Sequence, residues 1–258
     1  MESFERVIWS VDGGVATVTL NRAEKRNALD DVTVRELSEC VARADAAEDV
    51  RVLVLRGTGP DFCAGADLQQ LERIAAGLGP LENLDDASAL GALFVSMRRA
   101  RKPIVAAVHG HAIAGGAGLA TAADLIVASD DAVFGYPEVR LGFVPAMVLA
   151  LLRRAVGEKV AFDLASGGHR IGAAEALRIG LVNRVFERSN FIAESDAFAR
   201  ELADRSSSAL RLIKRLLYGM DGLSFEEAIA RGAEVNVLAR ATEDCRQGVR
   251  AFLDRSRA

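Results

Sequence analysis

Cysteine is scarce in this chain of 258 residues: Cys40, Cys63 and Cys245 are odd in number and far apart. Without paired spacing they suggest neither a disulfide framework nor a zinc site, and a reducing cytoplasm is the compartment expected. The three histidines, His109, His111 and His169, have no close cysteine or carboxylate partners in sequence, so no metal cluster is expected. Surplus positive charge is missing as well. A formal net charge of -4 gives no general field for nucleic acid or an acidic membrane, so any polyanionic ligand has to be held by local cations. The opening MESFERVIW places Glu2, Glu5 and Arg6 where a secretory signal needs a basic start and an apolar run, so no export is expected.

A membrane span is also lacking. Pro103 to Ala123 is 21 residues long without Lys, Arg, Asp or Glu, which is enough to cross a bilayer. It nevertheless contains His109, His111 and four glycines, and its Val-rich start reads as a buried strand followed by a turn and a helix start. Motifs of other enzyme classes are absent: HGHAIAGGAG does not fit the dinucleotide pattern GxGxxG, and neither a P-loop nor a GxSxG nucleophile elbow occurs. The basic run Arg98 to Lys102 precedes Pro103 at an expected helix end, where cations suit the helix dipole better than they suggest RNA.

What is present is apolar residue, half the chain, enough for one large core. The runs VATVTL from Val15, RVLVLR from Arg51, PIVAAV from Pro103 and LIVAS from Leu125 read as strands between helical patterns, an α/β organisation. Val34, Leu37, Val41 and Ala44 give one apolar helix face after a cap at Asp30 or Asp31. From about Ser189 strand patterns stop. Three helical patterns follow, near Asn190, Ser208 and Ser224, so the chain divides into a core at 1–188 and a helical subdomain at 189–258. The stripes Leu210, Ile213, Leu216, Leu217 and Phe225, Ala228, Ile229, Gly232 must cover either the chain's own sheet or another subunit. Gly77 to Asp86, mixing glycine, proline and acids, reads as a loop.

Three segments carry chemistry. FCAGADL from Phe62 and HGHAIAGGAGL from His109 each follow a strand with a small-residue turn, the second running into a helix from about Gly116. Backbone N–H groups at such a turn and at a helix N-terminus can donate to an oxygen that becomes negative during reaction. In FGYPEVRLG from Phe134, Pro137 fixes the backbone before Glu138, holding a carboxylate at the end of a short extended segment, where it suits proton transfer.

These segments, with LNRAEKRNAL from Leu20 and GVRAFL from Gly248, resemble the motifs of the enoyl-CoA hydratase/isomerase (crotonase) family in the family's order and over nearly the whole chain. The resemblance implies an α/β spiral of strand-strand-helix repeats with a C-terminal helical trimerisation subdomain. It also implies a homotrimer or dimer of trimers, and an acyl-CoA substrate whose coenzyme A is part of the substrate, with no further cofactor or metal. Carried over by position, the N–H groups of Ala66 and Gly115 become an oxyanion hole for the thioester carbonyl, flanked by Gly116. Glu138, set by Pro137, becomes the acid/base. Ala64, Asp67 and Leu68 lie beside the adenine end of CoA with Ala28, and Lys25 and Arg26 face its phosphates.

One departure divides the reaction readings. Where two-carboxylate hydratases have a second Glu, this chain has Gly118. Hydration uses one carboxylate on water and another on C2, whereas moving a double bond needs only one. PEVRLGFVPA is nevertheless similar to hydratases of branched substrates such as methylglutaconyl-CoA, so a hydratase is expected first and a Δ3,Δ2-enoyl-CoA isomerase second. His111, Glu82, Asp85 and Asp86 are then the groups that could replace the missing carboxylate. The same hole would serve thioester hydrolysis or decarboxylation, and a non-catalytic acyl-CoA-binding protein is the reading of another class.

Overall fold

The computed structural model of the protein describes residues 2–77 and 79–257. A short strand β1 (Glu2–Ser3) and a hairpin of β2 (Val7–Asp12) and β3 (Val15–Leu20) come first. Gly13 and Gly14, both at positive φ, make the two-residue turn that matches strand twist. A 3-10 turn (Ala23–Lys25) leads to α1 (Asp31–Ala46), β4 (Val52–Gly57), α2 (Leu68–Ala75) and α3 (Pro80–Arg99). Then follow β5 (Ile104–Val108), β6 (His111–Ile113), α4 (Gly115–Ala122), β7 (Leu125–Ser129) and β8 (Val133–Gly135). A second 3-10 turn (Pro137–Leu141), α5 (Ala146–Val156), α6 (Glu158–Gly167), β9 (Arg170–Gly172), α7 (Ala173–Arg178) and β10 (Arg184–Phe186) complete the mixed part. The chain continues as α8 (Phe191–Ala203), α9 (Ser207–Gly219), α10 (Phe225–Arg240) and α11 (Glu243–Arg257).

The larger sheet runs β1-β2-β3-β4-β5-β7-β10, antiparallel through β3 and parallel from there on, and a small sheet has the order β6-β8-β9. The RVLVLR run lacks polar alternation because both of its faces are covered. Leu53 and Leu55 of β4 join the main core with Leu37, Val41 and Met97, whereas Val52 and Val54 face Phe191, Ala199 and Ala203 of α8. Asp30 caps α1 by accepting from the Thr33 N–H at 2.8 Å, and Leu37, Val41 and Ala44 are buried beneath it.

Two sequence expectations are corrected. The loop expected at 77–86 is helical from Pro80 onward: proline suits the first helical position, and Glu82 reaches back to the Gly79 N–H at 3.2 Å. The three tail helices are four, because the Thr242 hydroxyl accepts from the Cys245 N–H at 3.2 Å and starts α11 after α10 has ended. Within that tail α8 is a layer of the core, while α9 is docked through one buried cation. The Lys214 Nζ donates to the carbonyls of Met97 and Lys102 and to the Asp124 carboxylate, which also accepts from the Tyr218 hydroxyl. Of the two apolar stripes, Ile213, Leu217, Phe225 and Ile229 stand exposed.

Candidate active site

The two small-residue turns lie against each other because strand-like bridges fix them. Cys63 donates to the His111 carbonyl at 2.9 Å and accepts from the Ile113 N–H at 3.0 Å. Three residues further on, the Leu29 N–H donates to the Gly65 carbonyl and the Asp67 N–H to the Leu29 carbonyl. In such a parallel bridge the residue opposite Leu29, Ala66, keeps its own N–H pointed away from the partner. Gly65 has φ +96°, and a Cβ there would lie 2.9 Å from the Ile113 carbonyl oxygen and 3.6 Å from the Gly115 nitrogen. The turn carrying Ala66 therefore touches the turn carrying Gly115.

Gly115 starts α4, one residue earlier than the sequence suggested, so its N–H has no acceptor within the helix and sits at the positive end of the helix dipole. Ala114 before it has φ +50°, a costly conformation for an alanine, which is held by its N–H bond to the Gly135 carbonyl at 2.8 Å. Among the described residues neither the Ala66 nor the Gly115 N–H has an acceptor. Two free donors thus lie on touching turns, one of them at a helix N-terminus, where backbone N–H groups can hold an oxyanion.

The glycines behind them are sterically required. A Cβ on Gly116 would lie 2.3 Å from the Cys63 carbonyl oxygen. One on Gly118 would lie 2.6 Å from Val148 Cγ2 and 3.0 Å from Phe94 Cζ, both buried side chains. The space beside Gly118 is therefore filled with hydrocarbon. Leu29 and Leu90 border Gly115 at 3.4 and 3.8 Å from its added Cβ, so the wall beside the donors is apolar too.

Glu138 arrives through β8, which pairs with β6. It lies in the 3-10 turn Pro137–Leu141 and not in the extended segment expected; Gly142, at φ +76°, closes that turn by donating to the Glu138 carbonyl. Tyr136 beneath it is fully buried, its hydroxyl 3.0 Å from the Thr121 hydroxyl of α4. One carboxyl oxygen of Glu138, Oε2, is buried without a hydrogen-bond partner. Burial pushes this carboxyl up from its usual range, opposed in part by a bond from its own backbone N–H. A carboxyl so placed can both take up and return a proton.

A polar edge adjoins the Ala66 turn. Buried Arg22 donates to the Ala28 carbonyl at 2.7 Å and to Asp67 at 2.8 Å, and pairs with Asp30 at 3.2 Å. Asp67 is thus a brace between loops: the Gln69 N–H and then Arg22 hold its carboxyl below the usual range. The Arg26 carbonyl accepts from the Ala64 N–H, and its Nε donates to Asp61 at 2.6 Å. Lys25 is exposed and has no ion pair among the described residues.

His111 contacts Asp61 at 2.6 Å and Arg26 at 3.0 Å, and among the described residues it makes no hydrogen bond to Glu138. Glu82 is spent on its helix cap and Asp85 is exposed on the same helix. The side chains of Leu68 and Asp86 lie outside the described residues. Arg22, Asn27 and Asp61 are the site-forming residues that sequence reading missed; the polar spacing within LNRAEKRNAL was the available signal for the first two. Two cavities, about 360 and about 700 Å³, lie elsewhere, along α3 and α9, and neither is lined by Glu138, Ala66 or Gly115.

Two glycine-built turns with free backbone donors and a carboxyl set by a proline, on a mixed α/β frame with a helical C-terminal part, fit a crotonase-fold enzyme acting on acyl-CoA thioesters. A solved structure of an enoyl-CoA hydratase subunit from Geobacillus kaustophilus superimposes with a TM-score of 0.91 at 34% identity, over 98% of this chain and 97% of that one. A Thermus thermophilus protein provisionally named an enoyl-CoA hydratase is 43% identical over 94% of this chain and 96% of its own. A mevalonyl-coenzyme A hydratase of Aspergillus fumigatus is 34% identical over 93% and 89%. The pattern of the enoyl-CoA hydratase/isomerase family matches residues 10–258, and the chain belongs to that family.

Proposed function

We propose that the chain hydrates a 2-enoyl-CoA with Glu138 as its single acid/base. The thioester carbonyl accepts from the Ala66 and Gly115 N–H groups, which lowers the energy of the enolate. The Glu138 carboxylate takes a proton from water as the oxygen bonds to C3, and the same carboxyl returns that proton to C2. The carrying observation is the buried Glu138 oxygen, without a hydrogen-bond partner among the described residues, in the turn that follows the strand paired with β6. A carboxyl kept in that condition, with its ionised form penalised, also argues against a non-catalytic binding role. A branched acyl group fits the reading, since one relative is named for a mevalonyl thioester.

The second reading, a Δ3,Δ2-enoyl-CoA isomerase, is favoured by the hydrocarbon packed against Gly118. CoA arrives as part of the substrate, Lys25 and Arg26 face its phosphates, and the adenine end lies along Ala28, Ala64, Asp67 and Leu68. A homotrimer or dimer of trimers would cover Phe225, Val237 and Phe252, which are 76, 67 and 65% exposed. Among the described residues no helix is long and apolar enough to cross a membrane, and a cytoplasmic location is part of the proposal.

The test is to incubate the enzyme with matched straight and branched 2-enoyl- and 3-enoyl-CoA substrates and weigh the products. Mass gained as water from the 2-enoyl substrate supports the hydratase; unchanged mass with a moved double bond replaces it by the isomerase. Glu138→Gln should lower kcat by about 10³-fold. The base form of Glu138 disappears as pH falls, so kcat/KM should drop on the acid side at a pH above the ordinary glutamate range, and the residual rate of Glu138→Gln should lack that limb.

A further inference from the structure

The two arginines of the NRAEKRNAL loop are used in opposite ways. Arg22 has a side chain 10% exposed, with Nη donors directed to the Ala28 carbonyl, Asp67 and Asp30, all inside the protein. It closes the loop with both terminal nitrogens, and its one unpartnered donor, Nε, is buried. Arg26 is 54% exposed, and one edge of it is held: Nε donates to an Asp61 carboxylate whose side chain is 4% exposed, and Nη2 lies 3.0 Å from His111 Nδ1.

Asp61 is itself fixed from two further directions. Its Oδ1 accepts from the His111 backbone N–H at 2.9 Å and lies 2.6 Å from His111 Nδ1. The same Nδ1 lies 3.0 Å from the Arg26 Nη2, so the imidazole sits between the carboxylate and the guanidinium. The guanidinium therefore has its Nε–Nη2 edge held, while Nη1 and the outer N–H of Nη2 have no acceptor among the described residues. Arg26 and Asn27 also occupy left-handed backbone conformations, φ +51° and +55°. The Asn27 side chain holds them there, donating to the Thr58 and Asp61 carbonyls and accepting from the Arg22 N–H. Two left-handed residues and a buried carboxylate are a large outlay for one ion pair to a half-exposed arginine.

We propose that Asp61 is a positioning residue: it clamps Arg26 by Nε and His111 so that the terminal guanidinium nitrogens receive a phosphate of the CoA nucleotide in a two-pronged contact. The inference rests on the acyl-CoA reading above and adds to it a residue that touches neither the reacting atoms nor the substrate. Its effect belongs to nucleotide binding alone. The chemical step at Glu138 is set by other elements, and an acyl-pantetheine thioester, which lacks the nucleotide, has nothing for Arg26 to hold.

The experiment compares acyl-CoA with the acyl-pantetheine thioester of the same acyl group in wild type, Asp61→Asn, Arg26→Gln and the double variant. Asparagine at 61 keeps an acceptor for the His111 N–H, and urea unfolding checks that the fold is retained. Asp61→Asn should raise KM for acyl-CoA about tenfold, the scale of one charge-assisted hydrogen bond, with kcat held and acyl-pantetheine turnover unchanged. Arg26→Gln should do the same, and the double variant should be no worse than either single one, because both remove one contact. Equal losses on both substrates would reduce Asp61 to a loop brace. A fall in KM would show that it competes with the phosphate for Arg26. Calorimetric binding of CoA against pantetheine reads the same clamp without turnover, so a failed reaction assignment and a failed clamp give different results.

Discussion

At Ala66 and Gly115 the donors are backbone N–H groups, and the turns that hold them meet at glycines with no room for a Cβ. At Lys25 and Arg26, on the loop hydrogen-bonded to the first of those turns, the donors are side chains exposed to solvent. The first end positions charge by steric exclusion, so any added atom displaces a donor. The second does so by electrostatics across a wet surface, where screening softens every contact. The proposed site should thus be brittle at the backbone donors and tolerant at Lys25 and Arg26, and substitutions can probe that difference from its steep side to its shallow one.

Gly116→Ala is the steepest probe. The new Cβ would lie 2.3 Å from the Cys63 carbonyl oxygen, which is backbone and cannot swing aside. Cys63 begins the turn that carries Ala66, so both donors would shift. Alanine gains about 1 kcal/mol of helix propensity over glycine, which is smaller than the cost of such a clash. The expected result is a loss of about 10²-fold in kcat, the scale of a misplaced oxyanion donor, measured by steady-state kinetics. Full activity in this variant would show that the two turns are not rigidly coupled.

Gly118→Glu asks whether the missing carboxylate can be restored. Val148 Cγ2 and Phe94 Cζ would be 2.6 and 3.0 Å from the first added carbon, and both side chains are packed in the core. We expect a stability loss of about 1–3 kcal/mol from overpacking, read by urea unfolding, and no gain in hydration rate. A faster hydratase would show that Phe94 and Val148 give way and that the apolar wall is not what keeps this site to one carboxyl.

Legibility in the sequence divides along similar lines. The glycine turns were readable because steric requirement is written locally, as small residues after a strand. The start of α1 at Asp30 or Asp31 and the β4 strand itself were readable because these patterns are local too; which aspartate caps and what covers both faces of β4 came from the structure. The stretch at 80–86 was misread since its proline and acids, loop-like in composition, act as the first helical residue and the capping glutamate once Gly79 ends the preceding turn. The fourth tail helix was missed because one hydroxyl, Thr242, separates two continuous polar patterns. Asp61 could not have been found: its partners Arg26 and His111 stand 35 and 50 residues away, and only the strand pairing of three segments brings them together. The filling of the space at Gly118 has the same origin, since Phe94 and Val148 come from α3 and α5.

Lys25 is the shallowest probe and the sharpest for the comparison. It neighbours Arg26 in sequence, yet it is exposed and has neither a clamp nor an ion pair among the described residues. A freely moving ammonium in water contributes only a screened, non-directional attraction to a phosphate, so Lys25→Gln should raise KM for acyl-CoA about two- to threefold with kcat unchanged. Because the contact is pure charge in solvent, the difference from wild type should vanish at about 1 M salt, where the screening length is about 3 Å. The Asp61→Asn effect, which removes an oriented contact, should persist there in larger part. If instead Lys25→Gln matched Asp61→Asn in size and salt dependence, the nucleotide end would be one diffuse patch of positive charge, and the distinction between a clamped arginine and a free lysine would fall.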